Sequence, residues 1–209
     1  MSFRIFGTPV RVEPIFFLMA ALIAASRLAQ PWFLASWIAI VFASVLLHEL
    51  GHALAFRHFG YEPSIRLHAM GGHTSGAALL TPQQDMIVSL AGPLFGLAAG
   101  ALVYGLGAFF PTLYATPFLG VVMRDLLWVN IGWSIINLLP ILPMDGGRVL
   151  ISALRRSDPP SASLRAHQIS MIVAAAAAAI ALFLGMTFAA TLGALFAFDN
   201  YRAYQGMKR

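Results

Sequence analysis

The segment PWFLASWIAIVFASVLLHELGHALAF, residues 31–56, predicts a membrane-spanning helix that carries three ionisable side chains near its end. A run of about 20 apolar residues is long enough to cross the hydrocarbon of a bilayer. An ionisable residue at bilayer depth costs about 2.5–3.5 kcal/mol on insertion scales, so it marks a candidate functional site. The segment therefore indicates both a membrane fold and the place of its chemistry.

The three ionisable residues belong to the motif His48-Glu49-Leu50-Gly51-His52. Two histidines at positions i and i+4 lie one turn apart on one helix face, where they can bind a single metal ion. The glutamate beside the first histidine can then act as general base on a metal-bound water. The alternative is a pair of buried polar residues bonded to their neighbours, although unliganded imidazoles gain little in hydrocarbon.

The composition of the 209 residues is that of an integral membrane protein, with 59% hydrophobic and 10% charged residues. We therefore expect a surrounding lipid bilayer and a single membrane domain over residues 1–209, with a catalytic core at about 15–150. The absence of cysteine excludes disulfides and cysteine-ligated zinc. The net charge of +5 does not indicate nucleic acid, because the basic residues are scattered singly between apolar segments, as topology signals are.

Apolar segments of spanning length predict an all-α polytopic membrane protein with about six transmembrane helices. The six segments are residues 15–29, 33–57, 84–109, 118–139, 166–184 and 186–201. Between the second and the third, residues 64–76 contain two short alternating runs around Gly71-Gly72, which indicates a small membrane-associated β-hairpin with a two-residue turn. An interfacial loop is the alternative interpretation of this stretch.

Six spans place both termini on one side of the membrane, and the basic residues identify that side. Eleven of the thirteen Lys and Arg residues fall on it, and only Arg27 and Arg124 fall opposite. The positive-inside rule then predicts a multi-pass protein of the cell membrane with both termini in the cytoplasm. His52 lies five residues before Arg57, about 8 Å along a helix, so the predicted site lies close below the cytoplasmic surface.

A catalytic zinc site takes three protein ligands and leaves one position open, so the two histidines need a third partner. Asp145 is favoured because Pro140 and Pro143 break regular helix before it, and Gly146-Gly147 after it permits unusual backbone dihedrals. Broken backbone at membrane depth is tolerated where it is buried in protein or lines a watery cavity. A helix stop followed by a cytoplasmic turn is the alternative. The less favoured candidates are Glu13, Glu62, Asp85, Asp125, Asp158, Asp199, His68 and His73.

Two motifs and the hairpin between them resemble the site-2 protease family of intramembrane zinc metalloproteases. The matching residues are His48, Glu49 and His52, then Asn137, Pro143, Asp145 and Gly146. The opening IFGTPVRVEP is also similar to the compact members, which lack PDZ domains and cystathionine-synthase-type repeats. The resemblance covers roughly residues 1–150, and the last two spans match only in character. One departure is Gly96, where many members carry asparagine.

The resemblance implies a site and an activity. His48, His52 and Asp145 would be the ligands of one zinc ion, Glu49 the catalytic base, and Asn137 would hold the substrate or stabilise the oxyanion. The expected function is a zinc endopeptidase that cleaves transmembrane segments of membrane protein substrates and is regulated by partners or by the substrate. The 64–76 hairpin could capture the unwound substrate strand by edge pairing.

Two other functions stay open at this point. A membrane metal-ion transporter would use intramembrane histidines and acids as a transit site, with ligands repeated on several spans. A non-catalytic scaffold would keep zinc for stability alone. One compact cluster with an adjacent glutamate favours the protease over the transporter. Nitrogen and oxygen ligands suit zinc, although cobalt or iron could bind to the same residues.

Overall fold

The computed structural model describes residues 1–76 and 79–208. Ala77, Ala78 and Arg209 lie outside the described residues, and Arg209 is one of the basic residues counted for topology. The helices of the described chain are α1 (Pro14–Ile23), α2 (Pro31–His58), α3 (Pro82–Phe109), α4 (Pro117–Leu127), α5 (Trp133–Asn137), α6 (Asp145–Ser157), α7 (Ala162–Phe183) and α8 (Thr187–Met207). Its strands are β1 (Ser2–Ile5), β2 (Thr8–Val12), β3 (Pro63–His68) and β4 (Gly71–Gly76).

Residue contacts divide the chain into two compact units. The first consists of Met1–Leu79 and Ala91–Ile135, and the second of Leu80–Leu90 and Ile136–Arg209. The first unit contains the sheet, and both units contain long apolar helices. The single membrane domain over residues 1–209 stays a prediction.

Four helical stretches of the described chain are long and apolar enough to cross a membrane: α2, α3, Pro117–Asn137 and α7. They match four of the six predicted spans, and the chain is a multi-pass membrane protein. The first predicted span is the ten-residue helix α1, which is about 15 Å long and covers half of the hydrocarbon thickness. The last is α8, whose second half carries Asp199 and Arg202. The predicted count of six is therefore not confirmed.

The described strands form one sheet in the order β1-β2-β3-β4. β2 and β3 are parallel, and the other two pairs are antiparallel. Phe6 and Gly7 connect β1 to β2, and both have the positive φ that a two-residue hairpin turn requires. The N-terminal segment is therefore a hairpin, and its strand β2 extends the sheet through a parallel pairing with β3 that the sequence alone does not predict.

The hairpin predicted at residues 64–76 is confirmed by β3 and β4. Its predicted turn at Gly71-Gly72 is wrong. His68 pairs with Gly71, so Ala69 and Met70 form the two-residue loop and both glycines lie in β4. The glycine at position 72 serves close packing of the strand instead of a turn. Gly72 packs so closely against α2 that a side chain at this position would overlap Glu49.

The sheet buries one face against α1 and α2. Alternate residues of a strand point to the same face, and the register pairs Val10 with Ile65 and Val12 with Leu67. The buried cluster of this face is Val10, Val12, Phe16, Ala53, Ile65 and Leu67. Since Ala53 follows the histidine motif directly, the sheet packs on the part of α2 that carries the candidate chemistry.

Two polar contacts within the first unit involve the α4 region. Arg27, just before α2, donates from both terminal nitrogens to the Asp125 carboxylate of α4 at 2.5 and 2.9 Å. These hydrogen bonds raise the pKa of Arg27 above its usual value. Asn130, in a π-helical turn after α4, donates to the Ser44 hydroxyl of α2 at 2.9 Å. The two contacts attach the α4 region to α2 and to the segment just before α2.

The second unit is built on the pair α7 and α8. Gly193 of α8 lies so close to Ala178 that an added Cβ would come within 3.0 Å of the Ala178 Cβ. The alanine run of α7 therefore permits close helix packing, as small residues do in membrane proteins. Ser170 of α7 accepts a hydrogen bond from the Leu142 N–H at 3.0 Å, and Asn200 of α8 donates to the Leu142 carbonyl at 2.7 Å. Both helices thus hold the loop that leads to α6.

Candidate metal centre

Helix α2 supplies the two histidines of the candidate site. His48, Glu49 and His52 are all buried, with exposed fractions of 9%, 4% and 5%. Because the histidines are one turn apart, their Nε2 atoms lie 3.1 Å from each other. Two nitrogens that bind one tetrahedral zinc at 2.0–2.1 Å are separated by roughly 3.3 Å. The imidazole geometry therefore fits a shared zinc ion.

Helix α3 approaches these rings at a glycine. A Cβ added at Gly92 would lie 2.3 Å from His52 Nε2 and 2.8 Å from His48 Nε2. The backbone of α2 also lies close to the backbone of α3, since a Cβ added at Gly51 would lie 2.7 Å from the Ala91 carbonyl oxygen. The two glycines let the helix backbones meet beside the ring nitrogens. The histidine motif does not point to Gly92 as a site residue, although its place in the Ala-Gly-Pro run is a visible signal.

Strand β4 contacts the carboxylate of Glu49. The Thr74 hydroxyl donates to Glu49 Oε2 at 2.6 Å and lies 3.1 Å from the Glu49 backbone oxygen. Thr74 is itself buried, with 5% of its surface exposed. The histidine motif gives no indication of Thr74. The signal that could identify it is the alternation of side chains along β4, which places Thr74 and Gly72 on one face of the strand and His73 on the other.

Asp145 begins α6 and is buried, with 8% of its surface exposed. Asn137, at the end of α5, donates from Nδ2 to Asp145 Oδ2 at 2.8 Å. A hydrogen bond to a metal-binding carboxylate orients it and tunes its basicity. The chain does leave the helix after Asn137, and Asp145 is then the first of the 13 residues of α6.

Gly146 and Gly147 serve close packing rather than unusual dihedrals. Neither has a positive φ. A Cβ at Gly146 would lie 2.1 Å from the Leu138 carbonyl oxygen, and a Cβ at Gly147 would lie 2.5 Å from the Ile141 carbonyl carbon. The first turn of α6 therefore packs directly on the backbone of the preceding loop. The sequence expectation of dihedral freedom at this pair is wrong.

One group of residues in the described ranges could hold a metal ion, and it consists of His48, His52 and Asp145. Two imidazoles and a carboxylate are a common ligand set of catalytic zinc. These are the three residues that the sequence resemblance implies, and their role as ligands stays a prediction.

The less favoured acids have other partners. Four of the six form ion pairs with arginine in the described chain: Glu13 with Arg66, Asp85 with Arg148, Asp125 with Arg27 and Asp158 with Arg165. Of the hairpin histidines, His68 accepts a hydrogen bond from the Met70 N–H, and His73 is exposed. Neither belongs to the candidate metal group.

Asp85 has a structural role in the second unit. Its carboxylate accepts hydrogen bonds from Arg148 at 2.6 Å and from Ser152 at 2.5 Å. Both donors lie on α6, and Arg148 is less than one turn after Asp145. Charge-assisted hydrogen bonds of this length are strong, so the first turn of α3 fixes the helix that presents Asp145.

The departure at Gly96 has a steric cause. A Cβ at this position would lie 2.2 Å from the Ser134 hydroxyl oxygen and 3.2 Å from the Asn130 carbonyl oxygen. Ser134 is almost completely buried. A larger residue at position 96 would therefore have to displace the Ser134 side chain.

The sequence and the fold are similar to those of known proteins. A sequence profile of peptidase family M50 matches residues 115–184. Over 165 residues the chain is 37% identical to a putative zinc metalloprotease of Synechocystis sp.. This match covers 71% of this chain and 42% of that protein. Over 163 residues it is 28% identical to a zinc metalloprotease of Methanocaldococcus jannaschii, with coverage of 74% and 45%. The chain thus spans less than half the length of these curated relatives.

The fold is similar to that of a solved structure, a site-2 protease from Methanocaldococcus jannaschii. The TM-score is 0.67, and the match covers 98% of this chain and 95% of that chain. At 24% identity, this likeness establishes the fold alone. Residues 115–184 thus match peptidase family M50, and over 71–74% of its length the chain is similar to proteins named as zinc metalloproteases.

Proposed function

We propose that this protein is an intramembrane zinc endopeptidase that hydrolyses peptide bonds in the transmembrane segments of membrane proteins. The observation that carries the proposal is the buried group of His48, His52 and Asp145, with Glu49 adjacent to the first ligand. The match of residues 115–184 to peptidase family M50 and the similarity to relatives named as zinc metalloproteases support it. The apolar character of α2 supports action at membrane depth.

The proposed zinc ligands are His48, His52 and Asp145, a set that leaves a fourth coordination position open. A zinc ion bound there supplies a Lewis acid that polarises the scissile carbonyl and makes water nucleophilic near neutral pH. The glycine at position 92 leaves room for the ring nitrogens of both histidines. Asn137 orients the Asp145 carboxylate through its hydrogen bond.

Glu49 is the proposed general base. Its carboxylate takes a proton from the attacking water and later delivers it to the leaving amine. A position next to His48 in the sequence keeps the carboxylate in the same turn of α2 as the proposed ligands. We also retain the prediction that Asn137 holds the substrate or stabilises the oxyanion.

The membrane orientation is part of the proposal. The distribution of Lys and Arg supports cytoplasmic termini in the cell membrane, with the site near the cytoplasmic surface. The proposed domain is a single membrane domain over residues 1–209. Its proposed partners are the lipid bilayer and a transmembrane substrate, with regulation by the substrate or by further proteins.

The first test is metal removal. Protein purified in detergent is expected to contain about one zinc ion per chain and to cleave some members of a panel of single-span test proteins. Dialysis against a chelator is expected to abolish cleavage, because the three ligands cannot activate water alone, and added zinc is expected to restore it. Zinc is measured by elemental analysis and cleavage by gel mobility. Full cleavage by metal-depleted protein would contradict the proposal.

Substrate capture by the sheet edge is a further part of the proposal. A spanning helix has its amides bonded internally, so it must unwind before attack. β4 lies at one edge of the sheet and continues the surface beside Glu49. An unwound segment could add to this edge as an extra strand.

The edge proposal predicts an effect of charge on β4. Changing the exposed residues His73 and Ser75 to Lys is expected to raise KM about tenfold with zinc content unchanged, because edge lysines discourage strand addition. Both side chains point away from the Glu49 face. Ser2→Lys on β1, the opposite edge, is the matched control. Equal KM values for the β4 variant and the wild type would remove β4 from the proposal.

A further inference from the structure

The contact between Thr74 and Glu49 has the features of a strong hydrogen bond. The oxygen–oxygen distance of 2.6 Å is that of a hydroxyl bonded to a carboxylate. Both side chains are about 95% buried, so water competes little for either group. Inside a protein of low dielectric, such a bond is stronger than in water. The bond therefore restricts where the carboxylate can lie.

Gly72 restricts the same carboxylate from the same strand. A Cβ added at Gly72 would lie 2.4 Å from both Oε1 and Cγ of Glu49. Residues 72 and 74 point to the same face of β4, because side chains alternate along a strand. Thr74 thus binds Oε2, and Gly72 leaves space for Oε1. β4 therefore lies beside both carboxylate oxygens.

A general base must be held in place to be efficient. A glutamate side chain has several rotatable bonds, and its position must bring an oxygen within about 2.6–3.2 Å of the proton that it takes. A displacement of about 1 Å at a reacting group can cost about a hundredfold in rate. α2 fixes the Glu49 backbone but not its terminal torsions. The Thr74 hydroxyl supplies the missing restraint.

We propose that Thr74 is a positioning residue, whose hydroxyl anchors Glu49 Oε2 so that Oε1 accepts the proton of the attacking water. The inference rests on the proposed function of Glu49 as general base. In this step the water O–H bond breaks, its proton passes to Oε1, and the remaining oxygen attacks the carbonyl carbon. Thr74 keeps its own proton throughout.

Two variants separate the hydroxyl from the shape of the side chain. Thr74→Val keeps the branched shape and removes the hydroxyl, whereas Thr74→Ser keeps the hydroxyl and removes a methyl group. We expect Thr74→Val to lower kcat roughly 10–100-fold with zinc retained, a typical cost for the loss of a supporting hydrogen bond. KM should stay within about twofold, since the lost contact acts on the transition state. Thr74→Ser should recover most of kcat.

The experiment measures kcat, KM and zinc content in detergent with one single-span substrate that the wild type cleaves. Thr191→Val is the matched control, because Thr191 is exposed on α8 and its hydroxyl contacts only the Thr187 backbone oxygen among the described residues. It should behave as the wild type. If Thr74→Val does not give folded protein, Thr74→Ala provides the test, since it removes the same hydroxyl; a wild-type kcat in that variant would overturn the inference.

The possible results lead to different conclusions. A Thr74→Val protein with wild-type kcat overturns the inference and leaves the proposed function intact. Equal losses of kcat in Thr74→Val and Thr74→Ser, or a parallel loss of zinc, assign Thr74 a structural role and also overturn it. A zinc-loaded wild type that cleaves no test protein overturns the proposed function, and the inference fails with it.

Discussion

Glu49→Gln is expected to abolish cleavage of a transmembrane substrate while the protein keeps its fold and its zinc. Glutamine has nearly the same shape and can accept the Thr74 hydrogen bond through its amide oxygen. It cannot take a proton from water, so the general-base contribution of about 10²–10⁴-fold is lost. Histidines 48 and 52 are unchanged, so metal binding should persist. Cleavage assays and elemental analysis on the same preparation give both quantities.

This variant also distinguishes the protease from the other two functions. A metal-ion transporter would show zinc flux into proteoliposomes that survives Glu49→Gln, with no proteolysis by the wild type. A scaffold stabilised by zinc would show neither flux nor cleavage, and the chelated protein would lose thermal stability. Substantial cleavage by Glu49→Gln would remove Glu49 from the role of base and require another proton acceptor.

Gly92→Ala is expected to disrupt the metal centre from a neighbouring helix. Its Cβ would lie 2.3 Å from His52 Nε2 and 2.8 Å from His48 Nε2, well inside van der Waals contact. A ring that binds metal cannot rotate away without losing its ligand geometry. We expect zinc affinity to fall about 10–100-fold and cleavage by about a hundredfold or more. Zinc content after dialysis and the cleavage rate at saturating zinc measure the two effects.

Gly105→Ala is the matched control for this substitution. Gly105 lies on the same helix, and a Cβ there would meet no atom within 4 Å among the described residues. The change should leave zinc binding and cleavage unaffected and stabilise the helix by up to about 1 kcal/mol. If Gly92→Ala bound zinc as well as Gly105→Ala, α3 would not pack on the rings as described.

Much of the fold could be predicted because membrane helices are encoded locally. The length and apolar character of α2, α3, Pro117–Asn137 and α7 are visible in sequence windows. α1 and α8 were harder to interpret, because one is short and the other carries charges in its second half. Hydropathy alone does not say whether such segments cross the bilayer.

The sequence by itself also determined the candidate chemistry. The spacing of His48, Glu49 and His52 places two imidazoles and a carboxylate in one helical turn, which is a local property of α2. Asp145 could be proposed from the prolines that interrupt the helix before it and from the family resemblance. The resemblance also indicated Asn137, whose hydrogen bond to Asp145 became visible only in the structure.

Only the tertiary structure decided which residues support that chemistry. Thr74 is 25 residues from Glu49 in the chain, and Gly92 is 40 residues from His52, so no local pattern joins either pair. The parallel pairing of β2 with β3 is equally non-local. Hydrogen-bond geometry and close packing depend on positions in space at a precision of tenths of an ångström. Sequence spacing sets such positions within a helix turn, whereas between distant segments they are set by packing.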